Sequence, residues 1–268
     1  MTFLELTNEE YHARPGVSAS KLKSMARGWR TFEAEHIAKT APQKETPAMA
    51  LGTAVHTALL EPGRFDAEYV ICPAECSDKR TKAYKEWAAG IGNASALGVD
   101  DATTVDAIRE SVQRDQFASQ LLTAEGHIEK SLEWTIHDVL CRMRFDKIAG
   151  PFCIDIKTCQ DATPEAFAKT IASYRYDLQA SHYLSGLASN GIGWGMRFVF
   201  IAVETASPYR VRCYEMCDDD FYKADEDRVA LLLEYRRRLE LGDWSEPGEG
   251  VLTKVFLPNW FAKREVAV

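Results

Sequence analysis

From His127 onward, the pattern takes a period of two. Ile128, Lys130, Leu132, Trp134 and Ile136 fall on one side, and Glu129, Ser131, Glu133, Thr135 and His137 on the other. That is the period of a half-buried strand. Residues 139–148 complete a hairpin with it, and Gly150-Pro151 turns the chain into a third strand over 153–158. Residues 196–204 are the most apolar run and predict a buried central strand. Residues 210–216 predict another, at the edge. Elsewhere the spacing is helical. The predicted helices are Ala19–Arg30, Ala48–Glu61, Thr103–Leu122, one opening at Thr163-Pro164, Arg175–Leu187 and Asp218–Leu241. Residues 1–17 read as a tether and turn, Lys39 to Pro47 as a loop, and 63–100 as less regular. Within the last of these, Asp78 to Lys85 is basic and interleaved with an aromatic. Residues 251–268, with Pro258-Asn259-Trp260, read as a tail docking as irregular structure.

A few charges break these patterns. On the strand 153–158, Asp155 and Lys157 share one face while Ile154 and Ile156 share the other. A carboxylate and an ammonium on a half-buried strand are unfavourable unless paired or bound. A cation held by Asp146 and Asp155, with Lys157 aimed at a phosphate or an attacking water, resolves that. So does an Asp–Lys ion pair, and the residues alone leave both open. Glu129 and Glu133 lie on one face of their strand, and either can extend the carboxylate group. His56 is the one strongly polar group in the middle of a small-residue helix, and Gly52 before it permits close approach by another chain or by DNA. Ser18 is the expected N-cap of the Ala19 helix. Ser20, Lys21 and Lys23 crowd its first turn, where cations oppose the helix dipole and invite an anion. A solvated amphipathic face explains them equally well.

Composition narrows the picture modestly. The chain has 268 residues and a net charge of −8, which argues against indiscriminate nucleic-acid binding but leaves room for a local basic track. The seven cysteines show no disulfide framework, which suits a reducing, cytoplasmic setting. No run is long enough to span a bilayer, and the N-terminus lacks the pattern of a secretion signal.

The order of these elements carries a resemblance. Gly52-Thr53-Ala54-Val55-His56, followed by Glu61, is similar to a GxxxHxxxxE helix. Arg144-Phe145-Asp146 is similar to a metal-aspartate motif, Asp155-Ile156-Lys157-Thr158 to a D-x-K-T strand, and Gln179 with Tyr183 to a QxxxY helix. Together they resemble the PD-(D/E)xK nuclease superfamily, in its RecB-like and exonuclease VIII (RecE)-like branch. The resemblance covers about residues 10–190, and Phe145 stands where the proline of the superfamily name would be. It implies an α/β (α+β) fold with a restriction-endonuclease-like core, a central mixed sheet flanked by helices. One domain is expected over 1–268, with an end-binding segment over 1–47, the nuclease core over 48–217 and a helix and tail over 218–268. The implied activity is Mg²⁺- or Mn²⁺-dependent 5′→3′ digestion of one strand of linear duplex DNA, leaving 3′ overhangs for recombination. An endonuclease, or a non-catalytic DNA-binding assembly subunit, are the alternatives. His56, Asp146, Asp155 and the carbonyl of Ile156 are the implied ligands of two ions. Glu129 and Glu61 are further ligands or support, Lys157 acts at the water or phosphate, and Gln179 and Tyr183 support Lys157 and the phosphate. Arg14, Ser18 and Ser20 match a 5′-phosphate site. The implied partners are DNA ends, a single-strand annealing protein and further copies of the chain in a ring, with no membrane. An iron–sulfur cluster is not expected, since only Cys213 and Cys217 follow the core.

Overall fold

The computed structural model describes residues 3–42, 46–76, 78, 80–92, 94–193, 195–258 and 261. Residues 259 and 260, in the tail motif, lie outside them. The chain opens with helix α1 (Asn8–Ala13), where a tether was expected. Its signal was present in the sequence: Thr7 and Glu10 form a reciprocal capping box. Helix α2 (Ala19–Arg27) follows, capped by Ser18, and ends earlier than its apolar pattern suggests because Gly28 takes φ 147°. A short helix α3 (Trp29–Phe32) runs into a π-turn. Then come α4 (Pro47–Leu60), α5 (Pro62–Glu68), strand β1 (Tyr69–Ile71), α6 (Lys82–Gly90) and β2 (Ser95–Leu97). Strands β1 and β2 form a small parallel pair that the periodicity of 63–100 did not announce. The helix expected over Thr103–Leu122 is two helices, α7 (Val99–Arg114) and α8 (Gln116–Thr123). Asp115 breaks it by leaving helical geometry and capping α8 through Ala118 N.

The main sheet contains β3 (His127–Ile136), β4 (Val139–Ala149), β5 (Phe152–Cys159), β6 (Arg197–Glu204) and β7 (Val211–Tyr214), in that spatial order. Between β5 and β6 lie helices α9 (Pro164–Tyr174) and α10 (Tyr176–Ser189), and α11 (Asp218–Leu241) follows β7. The sheet is mixed: β5 pairs with β6 in parallel and every other neighbour is antiparallel.

Period-two patterning sorts the strands onto two faces. Phe198, Phe200 and Ala202 of β6 join Leu22, Met25, Trp29, Phe167, Leu178, Leu187 and Leu232 on the face covered by α2, α9, α10 and α11. Val199, Ile201 and Val203 join Ala54, Val55, Ala58, Val105, Ile108 and Leu121 on the face covered by α4, α7 and α8. Helices therefore flank a central mixed sheet, as the resemblance implied. The tail departs from expectation over 251–258: Leu252 and Phe256 are almost wholly exposed, so this stretch does not dock on the core.

Candidate active site

Backbone pairing creates the site. The β4–β5 ladder runs only from Ala149↔Phe152 to Lys147↔Ile154. One step further, where Asp146 and Asp155 would face each other, the strands part. The backbone N–H of Ile156 is left without a strand partner there, and a buried amide needs one. Asp146 Oδ2 accepts it at 2.7 Å. Asp155 projects from the same split toward α10, where Gln179 Nε2 donates to its Oδ1 at 2.6 Å. Lys157 Nζ meets the other oxygen, Oδ2, at 2.6 Å. Of the two readings left open by the sequence, the ion pair is formed at Asp155.

Helix α4 brings His56 to the split from the opposite face of the sheet. Its start is set by Thr46, whose side chain accepts Met49 N, and by Pro47 in the first turn. Ala54, Val55 and Ala58 bury one side of the helix, which leaves His56 at the cleft with Nδ1 3.2 Å from Asp146 Oδ2. Gly52 also lines the cleft, and a Cβ built there would meet Thr158 Oγ1 at 3.4 Å, an ordinary contact. Glu129 enters from β3 with φ +50°, a region that non-glycine residues rarely take. The β3–β4 ladder is paired on both sides of it, at Ile128↔Lys147 and Lys130↔Phe145. The distortion is therefore local, the kind of strain that persists where surrounding structure holds it. It places Glu129 Oε2 2.8 Å from Arg144 Nε. Ligand atoms of His56, Glu129 and Asp146 all lie within 4.8 Å of one another.

The electrostatics are those of a crowded carboxylate site. Burial, then the neighbouring Asp155, push the Asp146 carboxyl up to about 8. Burial, then Asp146, push Glu129 up to about 7. Burial and the Lys157 ammonium lower His56, which favours the neutral, ligating imidazole. For Lys157 burial works downward, but Asp155 and Asp146 outweigh it and hold the ammonium above its usual range. Carboxylates raised by burial and like charge are groups that a hard cation would return to the ionised state. Oxygen-rich donors with one imidazole suit Mg²⁺ or Mn²⁺, so the residues fit the expected ion.

Of the other expected residues, Glu61 lines the same cleft and pairs with Arg64 at 2.7 Å. Glu133 stands apart from the carboxylates, held by Arg14 Nη2 at 2.7 Å. Arg14 is therefore engaged, Ser18 caps α2 and Ser20 is exposed. Tyr183 donates its hydroxyl to the Arg144 carbonyl at 2.7 Å, so it steadies β4 and not Lys157. Gln179 likewise serves Asp155, to which its Nε2 donates, and its Oε1 accepts from Lys23 and not from Lys157. Three further side chains reach the site: Arg144 and Lys23, which the sequence singled out without these contacts, and Tyr176, to which it gave no role. The Tyr176 ring lies under Lys157, 4.6 Å from Nζ to centroid. Its spacing three residues before Gln179 puts both on one helix face, a signal that was legible.

No curated protein matches the chain. Among solved structures, the fold is similar to a Eubacterium rectale protein whose name marks its exonuclease assignment as provisional. The TM-score is 0.64 at 15% identity, covering 95% of this chain and 97% of that one. A phage-related exonuclease from Haemophilus somnus 129PT aligns over 87% of this chain and 98% of its own, at 12% identity and a TM-score of 0.36. The first shows a shared fold. The sequence family is identified by a model matching residues 18–243, which spans the split strands, α4 and α10 alike. With its carboxylates and lysine at that split, the chain belongs to the family described as a PDDEXK-like domain of unknown function (DUF3799).

Proposed function

We propose that this protein is a divalent-metal-dependent exodeoxyribonuclease that digests one strand of linear duplex DNA from 5′ to 3′, leaving 3′ overhangs. The observation that carries the reading is the convergence of Asp146, Asp155, Glu129, His56 and Lys157 where β4 and β5 part. His56, Asp146 and Asp155, with Glu129, would hold the cation. A cation there would supply Lewis-acid chemistry, acidifying the attacking water and offsetting phosphate charge.

The chain's own groups have separable tasks. Lys157, kept protonated by Asp155 and Asp146, is suited to neutralise charge gathering on the phosphoryl oxygens and not to abstract a proton. Gln179 fixes the Asp155 carboxylate, and Tyr183 fixes the β4 backbone just before Asp146. In the hydrolysis, the water oxygen bonds to phosphorus, the P–O bond to the leaving nucleotide breaks, and that oxygen takes up a proton.

Confinement of basic residues to a channel in a ring of copies reconciles the net charge of −8 with DNA binding. A single domain with residues 1–47 as its end-binding segment, a cytoplasmic setting and an annealing partner that uses the overhang complete the proposal. The test is digestion of matched substrates with Mg²⁺. Linear duplex is expected to lose nucleotides progressively from its ends while covalently closed circles survive. Cutting of closed circles would assign an endonuclease instead.

A further inference from the structure

Lys23 reaches the site from α2, the helix that bears unexplained cations in its first turn. Its Nζ donates to Gln179 Oε1 at 2.7 Å and lies 4.6 Å from the centroid of the Tyr176 ring. Lys157 Nζ lies 4.6 Å from the same ring. One tyrosine ring thus lies beside two ammonium groups, and the Gln179 carboxamide links Lys23 to Asp155, which is already paired with Lys157. Among the described residues no carboxylate forms an ion pair with Lys23. It has an amide oxygen and an aromatic face, weak partners for a half-buried cation beside another. No helical neighbour supplies a counter-ion either, since Ala19 and Arg27 occupy the positions four residues away.

We propose that Lys23 is a second phosphate-binding lysine of this site: its ammonium takes an oxygen of a DNA phosphate adjacent to the one served by Lys157. The inference rests on the nuclease reading and assigns a residue and a ligand class to it. The ligand is either the phosphomonoester of a 5′ end or an internal phosphodiester. Burial, then Lys157, lower Lys23 to about 7, against the opposing pull of Asp155 and Asp177. A phosphate at Nζ reverses that, so binding above neutral pH takes up a proton at Lys23. The groups facing it are Lys157 and Asp155 on β5 and Tyr176 and Asp177 on α10.

The experiment measures binding of 5′-phosphorylated and 5′-hydroxyl duplexes by fluorescence anisotropy, with Ca²⁺ replacing Mg²⁺ to limit turnover, over a KCl series. Lys23→Met is expected to weaken binding roughly tenfold and to reduce the slope of log Kd against log salt by about 1. Lys23→Arg is expected to retain affinity. Wild-type binding should weaken from pH 7 to 9, and Lys23→Arg should weaken less there because arginine stays charged. Loss confined to the 5′-phosphorylated duplex assigns the terminal monoester, and equal loss on both assigns an internal phosphodiester. A folded Lys23→Met protein with wild-type affinity and salt slope overturns the proposal, while Mg²⁺-dependent cutting by the wild type leaves the nuclease reading intact. If Lys23→Met does not fold, a Lys23→Arg protein as pH-dependent as the wild type overturns it. Wild-type protein that neither binds nor cuts duplex DNA overturns both.

Discussion

Asp146 accepts the Ile156 amide at 2.7 Å and carries a carboxyl raised to about 8 by burial and by Asp155. In an unfolded chain it would ionise near ~3.9. Between those values the folded state holds a proton that the unfolded state has released, so stability falls as pH rises. Metal-free protein should therefore melt at a lower temperature at pH 8 than at pH 5.5. Asp146→Asn should flatten that dependence, and Mg²⁺ should raise the wild-type melting temperature most at the alkaline end. Identical pH profiles for chelated wild type and Asp146→Asn would refute this account of the site's charge. Tyr183→Phe should cost about 1 kcal/mol by leaving the Arg144 carbonyl without its donor, read by denaturant midpoint. It should lower activity less than Gln179→Ala, because Gln179 touches Asp155 directly. At this scale the sequence was informative about identity and less so about partnership. It placed Asp155 and Lys157 on one face, which their contact bears out. It assigned Gln179 and Tyr183 to Lys157 and the phosphate, and their hydrogen bonds go instead to Asp155, Lys23 and the Arg144 carbonyl, partners that motif order does not encode. Glu129 was separable from Glu133 only by a φ of +50°, a tertiary strain that period-two patterning cannot register.

Helix α10 carries Gln179 and Tyr183, and its distance from the sheet is set at Gly186. A Cβ there would lie 2.7 Å from the Trp134 ring on β3. Gly186→Ala should destabilise the fold by about 1–3 kcal/mol through overpacking, seen as a lower melting temperature. It should also reduce turnover, since the same displacement moves Gln179 away from Asp155. A variant with unchanged stability would mean that Trp134 yields freely. The main strands and the site helices were readable because their periods are long and strong. Element ends were less so. Gly28 stops α2 with φ 147°, and Asp115 interrupts what reads as one continuous apolar helix. Both are local capping decisions that override periodicity. The split between β4 and β5 was not legible at all, since residues 144–148 are no less strand-like than their neighbours.

At the scale of the whole molecule, an acidic chain is asked to hold a polyanion. The formal charge is −8, yet Lys157, Arg144 and Lys23 surround the carboxylates at the strand split. If ring closure gathers such residues around the duplex, sedimentation at micromolar concentration should show a species larger than a dimer of the 30.1 kDa chain. A monomer at tens of micromolar would contradict the ring while leaving the chemistry of the site untouched.

That chemistry is tested most directly by hydrolysis of end-labelled linear duplex by wild type and by folded Lys157→Ala and Asp155→Asn proteins, with Mg²⁺ or chelator, followed by product sizing. Wild type is expected to lose label only with Mg²⁺ and not with chelator, and both variants to be slowed at least about 10²-fold. Digestion by Lys157→Ala at the wild-type rate would contradict it.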